Sequence, residues 1–521
     1  MRGAVAAGHP LTAMTGARIL EEGGNAVDAC IAAGFTSWVT ESPLTGPGAG
    51  GFMLVHRARD GSDRLFDFFV SLPGRGLEGA TAAPMDEMEV PFDEQTIQFF
   101  RIGGASCAVP GAVAGLSEAH RFYGSLPWGE LIAPAVELAR AGVELNRQQA
   151  FLHRILDVPL RAEDDGRKVY GTSCALVEGE QLVQQDLADT LELLVAEGAE
   201  AFYRGSLARQ MSQAVRERGG LLTEADLAEY RVIRRRPVRV PYSGHEFVSN
   251  APPSSGGLLI AFALRVLDRL GSPGPPGSVE STRALAEVSR EATLARAGGF
   301  LTGLYRGGLA EKLLSEPTVA AAARRARSRG SRVAREPAGA PSTTHISVVD
   351  ARGNAASLSA STGCGSGVIV PGTGIHMNNM LGESDLNAGE GRAAAGRRLT
   401  SMMAPSIVLA EGRPRLVVGS AGSNRLRSAI LQIVVNVVAH GLSAQEAISH
   451  PRVHFEDDQL NLEGGTDPAV AGALEADGYD VVRWGDLNLY FGGASTVALD
   501  AAGNLDAAGD PRRGGAGVVV D

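Results

Sequence analysis

The run Thr343-Thr344-His345-Ile346-Ser347-Val348-Val349-Asp350 alternates as a β-strand does. It starts abruptly behind a loose Ala/Arg/Pro tract, about two-thirds along the chain. If the peptide bond between Ser342 and Thr343 is cut, Thr343 gains a free α-amine beside its own hydroxyl. One residue then carries nucleophile and base together, a recognised way to activate a threonine. A strand threonine alone carries little weight, because threonine is common in strands. Here it combines with a connector before it, a returning strand after it, and a small-residue turn with a helix N-terminus downstream.

The pattern around it mixes helices and strands. Residues 12–39 predict two helices. Asn25 caps the second, and Val27, Ile31, Phe35 and Val39 line one face. The glycine-rich turn Thr45–Gly51 leads into a strand, Phe52–His56. Residues 130–155 and 185–235 read mainly as helix. Strand pattern returns at 237–249, then a turn at Pro252–Gly257 and an apolar helix over 258–269. Residues 316–342 are the one clear shift in composition, with Arg324, Arg325, Arg327, Arg329, Arg332 and Arg335 followed by Pro337 and Pro341. They predict a solvated, partly disordered connector. After it, Thr343–Asp350, a turn at Ala351–Asn354 and Ala355–Ser361 predict a hairpin. Arg415–Gly419 predicts a buried strand that runs through Ser420–Asn424 into a helix. Layers of α/β or α+β type follow.

Composition excludes several functions. The net charge is −11, and Lys168 and Lys312 are the only lysines. That balance argues against a nucleic-acid or membrane-surface partner. Cys30, Cys107, Cys174 and Cys364 are scattered without a C-x-x-C pair, so neither a zinc site nor a disulfide framework is expected. The histidines show no H-E-x-x-H and no paired metal spacing, so no metal or cofactor is implied. There is no 18-residue apolar run, and no sustained apolar segment precedes a small-residue cleavage site. The chain therefore reads as soluble and cytoplasmic.

Three motifs compete with blander readings. Gly46-Pro47-Gly48-Ala49-Gly50-Gly51 matches G-x-G-x-x-G, but it follows a helix and precedes a strand, the reverse of a dinucleotide site. A flexible pocket wall is the functional alternative. Gly363-Cys364-Gly365-Ser366-Gly367 lacks the lysine of a phosphate loop and reads as a tight turn. Gly419–Asn424 before a helix is a candidate oxyanion site, where backbone N–H groups face a developing negative oxygen. It is equally an ordinary strand–helix turn capped by Ser423 or Asn424. His345 reads as a supporting histidine more readily than as part of a relay.

With these stand Gly23–Ala29, Gly50–Met53, Val109–Gly111, Gly219–Thr223, Asp226-Leu227 with Tyr230-Arg231, Val370–Ile375, Asn378-Asn379 and Asp510–Arg513. Together they resemble the γ-glutamyltranspeptidase family of N-terminal-nucleophile hydrolases over nearly the whole length. The resemblance implies an α+β fold, a four-layer αββα sandwich. It implies self-cleavage between Ser342 and Thr343 into a large subunit, 1–342, and a small one, 343–521, which stay paired as a heterodimer. It also implies an acyl-enzyme on Thr343 and a small-molecule substrate. Gly422 and Ser423 match the family's oxyanion glycines. Thr400 and Ser401 match its paired serines, which hold the substrate's carboxylate. Ser361 or Ser359 stands for its second threonine, which supports the nucleophile.

The departures bear on the substrate. The family's Asp-Phe-Arg-Glu is Asp67-Phe68-Phe69-Val70 here, so Phe69 replaces the arginine that clamps the γ-glutamyl carboxylate. Met380 and Glu383 replace the Gln and Asp that hold the α-amino group. The lid segment between Glu383 and Arg398 is short. The expected substrate is therefore an amide whose acyl group is not γ-glutamyl. An activated C–C bond beside a carbonyl, as in members from natural-product pathways, would use the same nucleophile. A γ-glutamyl enzyme with a rearranged clamp (Arg397, Arg398 or Arg425) and a silent scaffold homologue are the alternatives.

Overall fold

The Gly23-Gly24-Asn25 stretch ends one helix and starts the next. In the computed structural model, which describes residues 2–91, 97–328, 342–383, 394–500 and 502–521, these helices are Pro10–Glu21 and Ala26–Thr40. Asn25 and Asp28 form a reciprocal capping box at the second. The Asp350 carboxylate, in the hairpin turn behind Thr343, also accepts from the Ala26 N–H at 3.0 Å. The four-residue spacing predicts one apolar face, but Ala26–Thr40 is buried on every side. Its Ala, Gly and Ser positions pack as closely as its large ones, so small residues here mark contact rather than solvent.

Two antiparallel sheets lie face to face. The first orders its strands Ala516–Val520, Gly3–Ala7, Thr344–Asp350, Ala355–Ser361, Gly50–Arg57, Ser62–Phe68 and Ile233–Arg235. The second runs Leu505–Gly509, Gly493–Leu499, Arg413–Ala421, Ser406–Ala410, His245–Ser249 and Val238–Tyr242. Pro10–Glu21 and Ala26–Thr40 cover the outer face of the first sheet. Gly256–Leu270 and Leu426–Val434 cover the outer face of the second. The result is α+β, with the layer order αββα. Strand Thr344–Asp350 is buried on both faces. Ile346 and Val348 pack toward the first helix layer, while Val349 joins the core shared with the second sheet. Ser347 donates to the Ser495 carbonyl in that second sheet at 3.0 Å.

The connector is a correction. Glu316–Ser328 is a helix with Val319, Ala322, Ala323 and Ala326 buried and its arginines turned outward. Alanine's helix propensity and a narrow apolar stripe outweigh the arginine density that suggested a solvated linker. The rest of the connector, 329–341, and most of the shortened lid, 384–393, lie outside the described residues. No helix among the described residues is long and apolar enough to cross a membrane.

The glycine turn at 45–51 is no flexible wall. All of it is buried, and a Cβ on Gly48 would stand 2.2 Å from the His376 carbonyl oxygen. Asn378 ties the turn down, donating to the carbonyls of Gly48 at 2.8 Å and Ala108 at 3.0 Å. These glycines permit close backbone approach.

Candidate active site

The bond between Ser342 and Thr343 lies at the head of a central strand, and both residues are buried. The Ser361 hydroxyl donates to the Ser342 carbonyl and accepts from the Gly363 N–H at 2.9 Å. Pairing of Thr344–Asp350 with Ala355–Ser361 sets this contact, because register puts Thr344 opposite Ala360. Ser359 lies one pleat further along and meets His345 instead, at 2.8 Å. A hydroxyl hydrogen bond of this kind draws electron density toward the carbonyl oxygen and leaves the Ser342 carbonyl carbon more electrophilic.

A small pocket of about 40 Å³ gathers Ser342, Thr343 and Ser361 with Phe69, Met380, Glu383, Ser401 and Ser423; Met402, Met403 and Leu426 complete its wall. Gly422 precedes Ser423 at the end of strand Arg413–Ala421, with φ of 123° and 51° respectively. Side chains adopt such a left-handed backbone at a cost of about 1 kcal/mol. Ser423 and Asn424 stand in the short 3-10 turn Ser423–Arg425 that leads into helix Leu426–Val434. Thr400 faces elsewhere than Ser401. It lines a second, larger cavity together with Leu72, Tyr305, Arg397 and Leu399, and its hydroxyl has no hydrogen-bond partner among the described residues. Alternation along an extended segment turns adjacent side chains opposite ways, so Thr400 and Ser401 serve different spaces.

None of the three candidate replacement arginines lines the small pocket. Arg398 is buried behind Phe69. It donates to the Phe69 carbonyl, to the Tyr230 hydroxyl at 2.6 Å and to the Arg231 carbonyl at 2.6 Å, and it pairs with Asp67 at 3.2 Å. Arg425 sits over the Tyr490 ring and 3.8 Å from Glu456. Arg397 sits over Tyr305 beside the larger cavity. The Phe69 ring stacks on Phe52, with centroids 5.5 Å apart. The pocket is thus apolar at Phe69, and Glu383 is the one carboxylate in its wall.

His345 is structural. Its Nδ1 meets Ser359 at 2.8 Å and its Nε2 meets Ser347 at 3.0 Å. Its ring packs on Gly419, where a Cβ would stand 2.2 Å away. Burial pushes the imidazole down to about 3, so it stays neutral at ordinary pH. The unfolded chain takes up that proton near pH 6.5 and the folded chain does not. This contribution to stability is therefore complete above about pH 6.5 and is lost as the pH falls toward 3. His9, His153 and His376 are pushed down by burial in the same sense. The thermal midpoint should fall as the pH is lowered from 7 to 4, less steeply in His345→Gln than in wild type.

Two charged residues meet the strand from below: Glu41, which no sequence motif singles out, and Arg513, which lies in the Asp510–Arg513 motif without an assigned role. The Thr344 hydroxyl donates to Glu41 at 2.7 Å, and Arg513 donates to the Thr343 carbonyl at 2.8 Å. Both charged groups are buried. Burial raises the Glu41 carboxyl to about 7, against the pull of Thr344, Arg513 and Thr12. Burial also lowers the Arg513 guanidinium to about 10. Glu41 follows a helix C-terminus, an unfavourable place for an anion, and that mismatch was the available signal.

The family profile described as Gamma-glutamyltranspeptidase matches residues 12–520. The Acylase ACY 1 proenzyme of Pseudomonas sp. (strain SE83) is 34% identical over 533 residues, spanning 100% of this chain and 94% of that protein. The Glutathione hydrolase proenzyme of Escherichia coli (strain K12) is 31% identical over 538 residues, spanning 98% and 90%. Among solved structures, the cephalosporin acylase from Bacillus halodurans superposes with a TM-score of 0.82 at 25% identity, over 100% of this chain and 96% of that one.

Proposed function

Because the chain belongs to the γ-glutamyltranspeptidase family of acyl-transfer hydrolases, we propose that it is a self-processing enzyme whose nucleophile is Thr343 and whose acyl group is not γ-glutamyl. The observation that carries this reading is the buried Ser342–Thr343 bond at the wall of a small apolar pocket, its carbonyl held by Ser361. The word proenzyme in the relatives' names supports a precursor that is cut.

In the first step Thr343 Oγ attacks the Ser342 carbonyl carbon. The C–N bond breaks, the nitrogen takes a proton, and residues 342 and 343 are joined by an ester. Water hydrolyses that ester, leaving a carboxylate on Ser342 and a free hydroxyl and α-amine on Thr343. The fragments 1–342 and 343–521 stay together, because Gly3–Ala7 of the first lies between two strands of the second, and Ala355–Ser361 of the second pairs with Gly50–Arg57 of the first. In turnover the amine accepts the Oγ proton as the oxygen attacks the substrate carbonyl. The N–H groups of Gly422 and Ser423 receive the negative oxygen. The leaving amine takes the proton away, and water or an amine releases the acyl group. The same steps serve an activated C–C bond if the leaving carbanion is stabilised by a carbonyl.

The reading is tested by N-terminal sequencing of active protein, expected to yield a fragment beginning Thr-Thr-His. Acyl donors should add their acyl mass to that fragment alone. An active, uncut chain would overturn it. Ser361→Ala should slow self-cleavage by about 10²-fold, the scale of losing one donor to a reacting carbonyl. Ser359→Ala should leave the rate nearly unchanged. Time courses on denaturing gels compare the two.

A further inference from the structure

Residues 343 and 344 are gripped from two sides by buried charged groups that the steps above do not use. Arg513 reaches in from the Pro511–Arg513 turn near the C-terminus and donates to the Thr343 carbonyl at 2.8 Å. Glu41, directly after helix Ala26–Thr40, accepts from the Thr344 hydroxyl at 2.7 Å. Space has been cleared for both. A Cβ on Gly8 would stand 2.3 Å from a Glu41 oxygen, and one on Gly493 would stand 2.2 Å from the Arg513 side chain. Thr12 and Thr40 share a 2.7 Å hydrogen bond beside Glu41, and Thr12 also donates to the carboxylate at 3.4 Å. Each charged group feels the other, since Arg513 holds the Glu41 carboxyl down and Glu41 holds the Arg513 guanidinium up.

We infer that Glu41 and Arg513 are positioning residues that fix the peptide plane after Thr343, and so aim its Oγ and its amine. The inference rests on Thr343 being the nucleophile. Once the bond before it is cut, Thr343 is covalently attached only on its C-terminal side, where its own carbonyl and Thr344 follow. Those are the two places the charged groups grip. Because Glu41 lies in 1–342 while Thr344 and Arg513 lie in 343–521, the grip also spans the fragments that cleavage would create.

The test uses the full chain and compares Arg513→Met with Arg513→Lys, and Thr344→Val with Thr344→Ser. The Met and Val variants remove one grip each, while Lys and Ser restore a donor. Arg513→Met and Thr344→Val should self-cleave about tenfold or more slowly, since small misplacements of reacting groups cost that much or more. Their matured fraction should show kcat reduced with KM unchanged, and the Lys and Ser variants should recover most of the rate. A loss confined to KM, equal defects in the conservative variants, or wild-type maturation and turnover in either Arg513→Met or Thr344→Val would overturn the inference. The Thr344 pair decides if Arg513→Met does not fold. Wild-type protein that is active without a cut at Thr343 would instead sink the nucleophile assignment itself.

Discussion

Thr343→Ala should remain a single full-length chain on a denaturing gel, where wild type shows bands near about two-thirds and one-third of its length. Its turnover should fall by about 10⁴-fold or more, with no acyl mass on any fragment. The size of the effect follows from the lack of a substitute. Ser342, Ser361, Ser401 and Ser423 also bring hydroxyls to the pocket, but none of them would gain an α-amine on cleavage. His345, the nearest imidazole in sequence, has both ring nitrogens against serines and is held neutral by burial. The Cys364 thiol is buried and pushed up, far from a thiolate at neutral pH. Thr343→Ser keeps hydroxyl and amine, so it should still cut itself and turn over. If Thr343→Ala is folded, uncut and fully active, the nucleophile lies elsewhere.

Much of the fold is legible in the sequence. The hairpin at 343–361, the Asn25 cap and the strand into Gly422 follow from period-two alternation, cap chemistry and glycine placement, which are local. What stayed hidden was long-range. Ser359 and Ser361 are equivalent by pattern, and only strand register puts the second on the Ser342 carbonyl. Thr400 and Ser401 are adjacent, but the pleat sends them to different cavities. Glu41 and Thr344 are more than 300 positions apart, and no spacing rule relates them. The 316–328 stretch went wrong for another reason. Its three arginines carry all its positive charge, while four buried residues, three of them alanines, decide its structure.

The substrate prediction carries the other large effect. The chain should prefer a p-nitroanilide of a small apolar acyl group over γ-glutamyl-p-nitroanilide by about 10³-fold or more in kcat/KM. A site that lacks the groups built to pair a charged head leaves that head desolvated, and discrimination of this kind spans several powers of ten. In the proposed reading Phe69 replaces the clamp, and none of Arg397, Arg398 and Arg425 lines the small pocket. Phe69→Arg alone should not restore γ-glutamyl turnover. Its guanidinium would be buried beside Phe52 and the two methionines 402 and 403, with Glu383 the one carboxylate in the wall, and it would be drawn there rather than to a substrate. Phe69→Arg with Met380→Gln and Glu383→Asp rebuilds the three family positions together and should raise γ-glutamyl kcat/KM by about 10²-fold over wild type, while apolar acyl turnover falls. Wild-type protein that prefers γ-glutamyl-p-nitroanilide would mean that the head group is held from the larger cavity, where Thr400 and Arg397 lie, and Phe69 would lose its role as the determinant.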